Sequence, residues 1–73
     1  MVSYKVILER DEEEGCYVAA VPALPGCHTQ GKTREETLER VREAIQGYLE
    51  SLQKDGIPAP RDVELEEVAV PVS

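Results

Sequence analysis

The sequence contains no tryptophan and no phenylalanine, and tyrosine occurs only three times. Proteins that hold single-stranded nucleic acid stack its bases on aromatic side chains, and this composition offers no such platform. The formal net charge is −7, from 15 acidic and 8 basic residues. A negative surface repels nucleic-acid phosphates and anionic lipids. The composition therefore favours a basic protein partner, with no direct binding to nucleic acid or to a membrane.

Histidine and cysteine are also scarce, at one and two residues. A structural zinc site needs about four clustered ligands, and no glycine-rich phosphate loop follows a strand. We therefore expect no metal and no cofactor. Cys27 and His28 are adjacent, and neighbours on a strand point to opposite faces, so they do not readily form a catalytic pair. The sequence predicts a protein that is not an enzyme, with both cysteines reduced.

No apolar run approaches the roughly 20 residues that cross a bilayer, and the amino terminus lacks the shape of a signal peptide. The sequence predicts one cytoplasmic domain spanning residues 1–73. A core of this size usually provides only about 3 to 5 kcal/mol of net stability, which favours self-association as a dimer or tetramer.

The first half of the chain predicts three strands. Apolar and polar residues alternate over residues 2–10, as in a strand with one apolar face. The charged loop 11–15 ends in glycine and leads into the apolar run 16–21. The runs 2–10 and 16–21 are therefore predicted to form a hairpin. Pro22 and Pro25 interrupt the sheet, and Cys27–Gln30 re-enters it as a short third strand.

The second half predicts a helix and a last strand. From Arg34 to about Lys54, apolar residues recur every three or four positions, which indicates an amphipathic helix lying on the sheet. Thr33 and Glu36 have the spacing of a reciprocal capping box. Valines at positions 68, 70 and 72 predict a final strand that begins near Glu66. The fold class is therefore α+β: a three-stranded antiparallel sheet, one long amphipathic helix packed on it, and a final strand, in the order β-β-β-α-β.

The second predicted strand has no polar residue on either face, and such strands are usually covered on both sides. One helix covers only one side of the sheet. We therefore expect an oligomer interface on the other side, formed by Ile7, Val18 and Ala20.

Acidic residues concentrate in two places, the predicted hairpin tip and the outer face of the helix. Such charges are either simply solvated or serve to attract a basic partner. The candidate partner-binding residues are Glu12, Glu13, Glu14, Glu35, Glu39 and Glu43.

The run Val-Pro-Ala-Leu-Pro-Gly-Cys-His-Thr-Gln-Gly at residues 21–31 is followed by Thr33-x-x-Glu36, and Asp55-Gly56-Ile57-Pro58 ends the helix. In these motifs the chain resembles the HicB-like antitoxin family over nearly its whole length. The resemblance implies a partial ribonuclease-H-like fold without the catalytic acids. It also implies a partner, the small basic toxin HicA, which cleaves messenger RNA and whose active site the antitoxin blocks. Fuller members continue into a DNA-binding segment that has no counterpart in these 73 residues.

Two functional hypotheses remain open from sequence. The first is an antitoxin that neutralises a basic HicA-like toxin by covering its active site. The second is a stand-alone oligomeric HicB-like protein whose partner is unrelated. An enzyme using Cys27 and His28 ranks last.

Overall fold

The computed structural model describes residues 2–72 and has one sheet and one helix. Strands β1 (Ile7–Asp11), β2 (Cys16–Ala20) and β3 (His28–Gly31) are antiparallel and lie in the order β1-β2-β3. Helix α1 (Arg34–Lys54) follows directly. The predicted α+β fold, with a three-stranded antiparallel sheet and one long helix, is confirmed.

The first strand is shorter than the alternating pattern predicts, since it begins at Ile7 rather than at residue 2. The pairing explains the difference, because Ile7 lies opposite Ala20, the last residue of β2. Val21 lies beyond the end of β2, and its N–H donates to the Cys27 carbonyl at 3.0 Å. Residues 2–6 therefore have no β2 residue with which to form a ladder.

The predicted final strand is absent from the described part of the chain, since residues 57–72 contain no strand. Their first part lies beside the amino-terminal segment. The Lys5 N–H donates to the two Asp62 carboxylate oxygens at 3.0 and 3.2 Å, and Lys5 Nζ donates to the Val63 carbonyl at 2.7 Å. The Asp62 side chain thus occupies a backbone donor that a neighbouring strand would need. Beyond residue 63 the segment is exposed.

Helix α1 packs on one face of the sheet, over β2 and β3. The core between them contains Ala19, Val21, Leu24, Cys27 and Val41. The helical stripe packs against this core as predicted, through Leu38, Ala44, Ile45, Tyr48 and Leu49 beside Val41.

The turn between β2 and β3 folds back on itself. The Leu24 N–H donates to the Val21 carbonyl, and the Cys27 N–H donates to the Leu24 carbonyl, both at 3.0 Å. Gly26 has a positive φ of 81°, which a residue with a side chain adopts at a cost. The turn buries the Leu24 side chain completely.

Both ends of α1 are capped. Thr33 Oγ1 accepts from the Glu36 N–H at 3.0 Å, which confirms half of the predicted capping box. The Glu36 carboxylate instead lies 2.8 Å from Arg40 Nη2, one turn along the helix. At the other end Gly56 has a φ of 69°. The Ile57 N–H donates to the Leu52 carbonyl at 2.9 Å, completing a Schellman motif.

Candidate functional site

The acidic hairpin tip has an ordered backbone. Asp11 Oδ1 accepts from the N–H groups of Glu13 at 3.1 Å and Glu14 at 3.2 Å. The Gly15 N–H donates to the Asp11 carbonyl at 2.9 Å, and Gly15 has a φ of 67°. The side chains of residues 12–14 are all exposed. One carboxylate therefore organises the turn while three others remain available to a partner.

The predicted helical acids, Glu35, Glu39 and Glu43, are also exposed. Residues four apart lie one above the other on a helix, so the three form a single stripe. The neighbouring Arg40 does not neutralise this stripe, since it pairs with Glu36 and its Nη1 donates to the Gln30 carbonyl at 3.0 Å.

A shallow groove connects the hairpin tip with the start of the helix. Glu14 and Gly15 form one wall, and Glu36 and Arg40 form the other. The two acidic regions thus begin at the same end of the molecule. Glu35, Glu39 and Glu43 do not line this groove, so it brings Glu14 of the tip to the first turn of the helix but does not join the two predicted sets.

The predicted oligomer residues share one face of the sheet, opposite the helix. Ile7 pairs with Ala20, and Glu9 pairs with Val18. The Ile7 side chain is 44% exposed, while Val18 and Ala20 are partly covered by their neighbours. Glu9 lies on the same face, so this surface is apolar at one end and acidic at the other.

Cys27 and His28 are separated by the sheet, as their adjacency predicts. Cys27 belongs to the core with 7% exposure, and burial raises the pKa of its thiol. His28 lies opposite Ala20 and is exposed. Cys16 and Cys27 are both free thiols in this structure.

Two further observations concern binding and location. Among residues 2–72, no three His, Cys, Asp or Glu side chains are close enough to hold a metal ion. Helix α1, the one helix in that range, lacks the apolar character required to cross a bilayer.

A second groove was not predicted from the sequence. Its walls are the amino-terminal segment, with Tyr4 and Val6, and one side of the helix, with Leu38, Arg42 and Ile45. It exists because α1 covers β2 and β3 but not β1, so the apolar residues at the start of the chain have the helix on only one side. A signal for this groove was present in the predicted elements, since one helix is narrower than three strands.

Comparison with known proteins adds the family. Residues 4–71 match the profile described as HicB-like antitoxin of bacterial toxin-antitoxin system. A UPF0150 protein of Thermoplasma acidophilum is 52% identical over 69 residues, which are 94% of this chain and 97% of that protein. Antitoxin HicB 1 of Photorhabdus laumondii is 42% identical in an alignment of 74 positions, which covers 96% of this chain but 46% of the antitoxin. The chain therefore belongs to the HicB-like antitoxin family.

Proposed function

We propose that this protein is an antitoxin that binds a small, basic, mRNA-cleaving toxin of the HicA type and neutralises it by covering its active site. The family match over residues 4–71 carries this proposal. Inhibition of this kind requires only a complementary surface of sufficient area, without any catalytic group on the inhibitor.

The charge distribution supports a basic partner. A net charge of −7 attracts a cationic protein at long range, and the exposed tip at Glu12, Glu13 and Glu14 concentrates negative charge on a fixed turn. A surface whose backbone is already ordered loses less conformational entropy on binding. We therefore assign the first contact with the toxin to the hairpin tip and the continuing contact to the stripe of Glu35, Glu39 and Glu43.

The first experiment is co-expression of the chain with small basic ribonucleases encoded beside it. Restored growth and a co-purifying complex are the expected results. The proposal would be contradicted if the chain restored growth against none of these ribonucleases and co-purified with none of them.

Charge reversal locates the surface. Glu13→Lys and Glu39→Lys should each slow association with the toxin severalfold and reduce its dependence on salt, because charges at the edge of an interface act mainly on the association rate. Glu64→Lys is the matched control, since it changes the net charge equally at an exposed position outside both acidic regions. Equal effects of all three variants would show that only net charge matters and would contradict the assigned surface.

The exposed Ile7 favours a second candidate function, a stand-alone oligomeric protein with an unrelated partner. In that case Ile7, Val18 and Ala20 form the contact between copies, since the helix leaves this face open. Ile7→Lys should then dissociate the oligomer while the fold, measured by circular dichroism, is retained. An unchanged oligomer would exclude this interface.

A further inference from the structure

The outer edge of β1 is open for strand pairing. Within residues 2–72 the strand order is β1-β2-β3, so the first strand has a strand partner on one side only. On the opposite edge of the sheet, Arg40 donates to the Gln30 carbonyl of β3. An edge strand offers a row of backbone donors and acceptors to another extended segment. The apolar groove of Tyr4, Val6, Leu38, Arg42 and Ile45 begins beside this edge.

The carboxyl-terminal segment is a strand-like sequence without a sheet. Val68, Val70 and Val72 are 78%, 71% and 93% exposed. The radius of gyration is 14.6 Å, whereas a compact domain of this length has about 11 Å. The molecule extends 50 Å along its longest axis. The segment therefore projects from the domain and leaves its apolar side chains in water.

The start of this segment is held beside the residues that lead into β1. Pro58 and Pro60 keep the residues before them extended and the connection stiff. The Tyr4 hydroxyl donates to the Pro60 carbonyl, and Asp62 holds the Lys5 backbone N–H. The connection is thus fixed at the base of β1 while the valines lie free. Exchange of an identical element between two copies is a low-cost route to a dimer.

We propose that two copies of this chain exchange their carboxyl-terminal segments, and that residues 66–72 of each copy add a fourth strand to the free β1 edge of the other. Val68, Val70 and Val72 then lie on the face of the sheet that the helix occupies, where this face continues into the groove of Tyr4, Val6, Leu38, Arg42 and Ile45. The exchange is symmetric, so both edges and both grooves are filled at once. It does not depend on the proposed toxin.

Length and charge both fit this occupant. From Val68 to Val72 an extended chain covers roughly 13 Å, about the length of β1 between Ile7 and Asp11. Glu66 is two positions before Val68, and side chains two positions apart on a strand point to the same face, so the Glu66 side chain lies on the groove side. Arg42, which lines the groove, forms no ion pair within residues 2–72 and is available to the Glu66 carboxylate. Pro71 has no N–H to donate, as is permitted on an edge strand.

The test measures the molar mass of the full chain by light scattering over a range of concentrations, together with hydrogen exchange of its backbone amides. The wild-type protein should form a dimer in which the amides of residues 66–72 and the outward amides of β1 exchange slowly. Val70→Glu should weaken the dimer by about tenfold or more, because it places a carboxylate in an apolar site. Since Val70 is exposed in the single chain, this variant should keep its fold.

Ala69→Glu is the matched control. It adds the same side chain one position away, where a strand directs it out of the groove, and it should dimerise as the wild type does. Arg42→Glu should weaken the dimer, and combining it with Glu66→Arg should restore it.

Three results would overturn the proposal. The first is a monomer at all concentrations: fast amide exchange in residues 66–72 would then show that the segment is free, and slow exchange would show that it pairs within its own chain. A dimer that Val70→Glu leaves unchanged would place the contact elsewhere, as on the face of Ile7. Equal weakening by Ala69→Glu and Val70→Glu would show that added charge, rather than the groove, is responsible.

Discussion

Gly31→Ala tests how the helix is seated on the sheet. Gly31 is the last residue of β3 and is buried against the first turn of α1. A Cβ added there would lie 2.7 Å from Thr37 Oγ1, 3.1 Å from Thr37 N and 3.2 Å from Thr37 Cα. Two of these three atoms belong to the backbone, so rotation of a side chain does not relieve the contact.

The Thr37 side chain has no room to move either. It is fully buried, and its hydroxyl donates to the Thr33 carbonyl at 2.7 Å. The start of the helix must therefore shift away from β3. Overpacking of this kind costs about 1 to 3 kcal/mol. Replacing glycine also restricts the unfolded chain, which offsets roughly 0.4 to 1 kcal/mol of that cost. We expect Gly31→Ala to lower the free energy of unfolding by about 0.5 to 2 kcal/mol.

Gly47→Ala is the internal control. Gly47 is exposed within α1, and a Cβ there would meet nothing within 4 Å. Alanine should raise the free energy of unfolding by about 1 kcal/mol. Each kcal/mol corresponds to a change in Tm of about 4 to 8 °C in a domain of this size.

Urea and thermal unfolding followed by circular dichroism measure both variants, at one protein concentration because self-association also stabilises the folded state. The reasoning is refuted if Gly31→Ala is as stable as the wild type, or if the two variants shift stability in the same direction.

Three smaller predictions concern the helix cap and the titrating groups. Thr33→Ala should lower the free energy of unfolding, measured in urea, by about 1 kcal/mol, because alanine has no side-chain oxygen to accept from the helix N–H groups. Thr33→Asp, which keeps such an oxygen, should lower it far less. Burial acts to raise the pKa of Asp62, but the hydrogen bonds from Lys5 outweigh this effect and hold the pKa below its ordinary value. The stability that the Asp62–Lys5 contact contributes is therefore present above the unfolded-state pKa of Asp62 and is lost as the pH falls through its folded-state pKa. The Lys5 amide resonance should follow that transition in the wild type and not in Asp62→Asn. Because burial raises the pKa of Cys27, an alkylating reagent should label Cys16 first, and equal labelling rates would contradict the described core.

The sequence predicted those parts of the fold that short-range chemistry determines. The Thr33 cap, the Asp55-Gly56 stop and the apolar stripe from Leu38 to Leu52 define α1, and the structure has the same helix. The short charged loop that ends in Gly15, between two strand-like runs, likewise defined the hairpin. In each case the residues that decide the structure are within a few positions of each other, so their spacing alone carries the information.

The errors arise where the outcome depends on a distant partner. Residues 2–6 alternate like a strand, but β2 ends opposite Ile7, so they lack a neighbour with which to pair. Glu36 has the spacing to bind Thr33, yet its carboxylate pairs with Arg40, which also reaches the Gln30 carbonyl on β3. A local pattern specifies what a segment is able to form, whereas competition from elsewhere in the fold determines what it does form.

The candidate site shows the same division. The exposed carboxylates at 12–14 and at 35, 39 and 43 were predicted from charge alone, because an unpaired acidic side chain favours water wherever it lies. The groove at Tyr4 and Ile45 required the structure, since it results from the offset of the helix over β2 and β3. The valine-rich terminus has the alternation of a strand and no strand beside it within its own described chain. The proposed exchange supplies this locally consistent pattern with the neighbouring strand that it lacks in one copy.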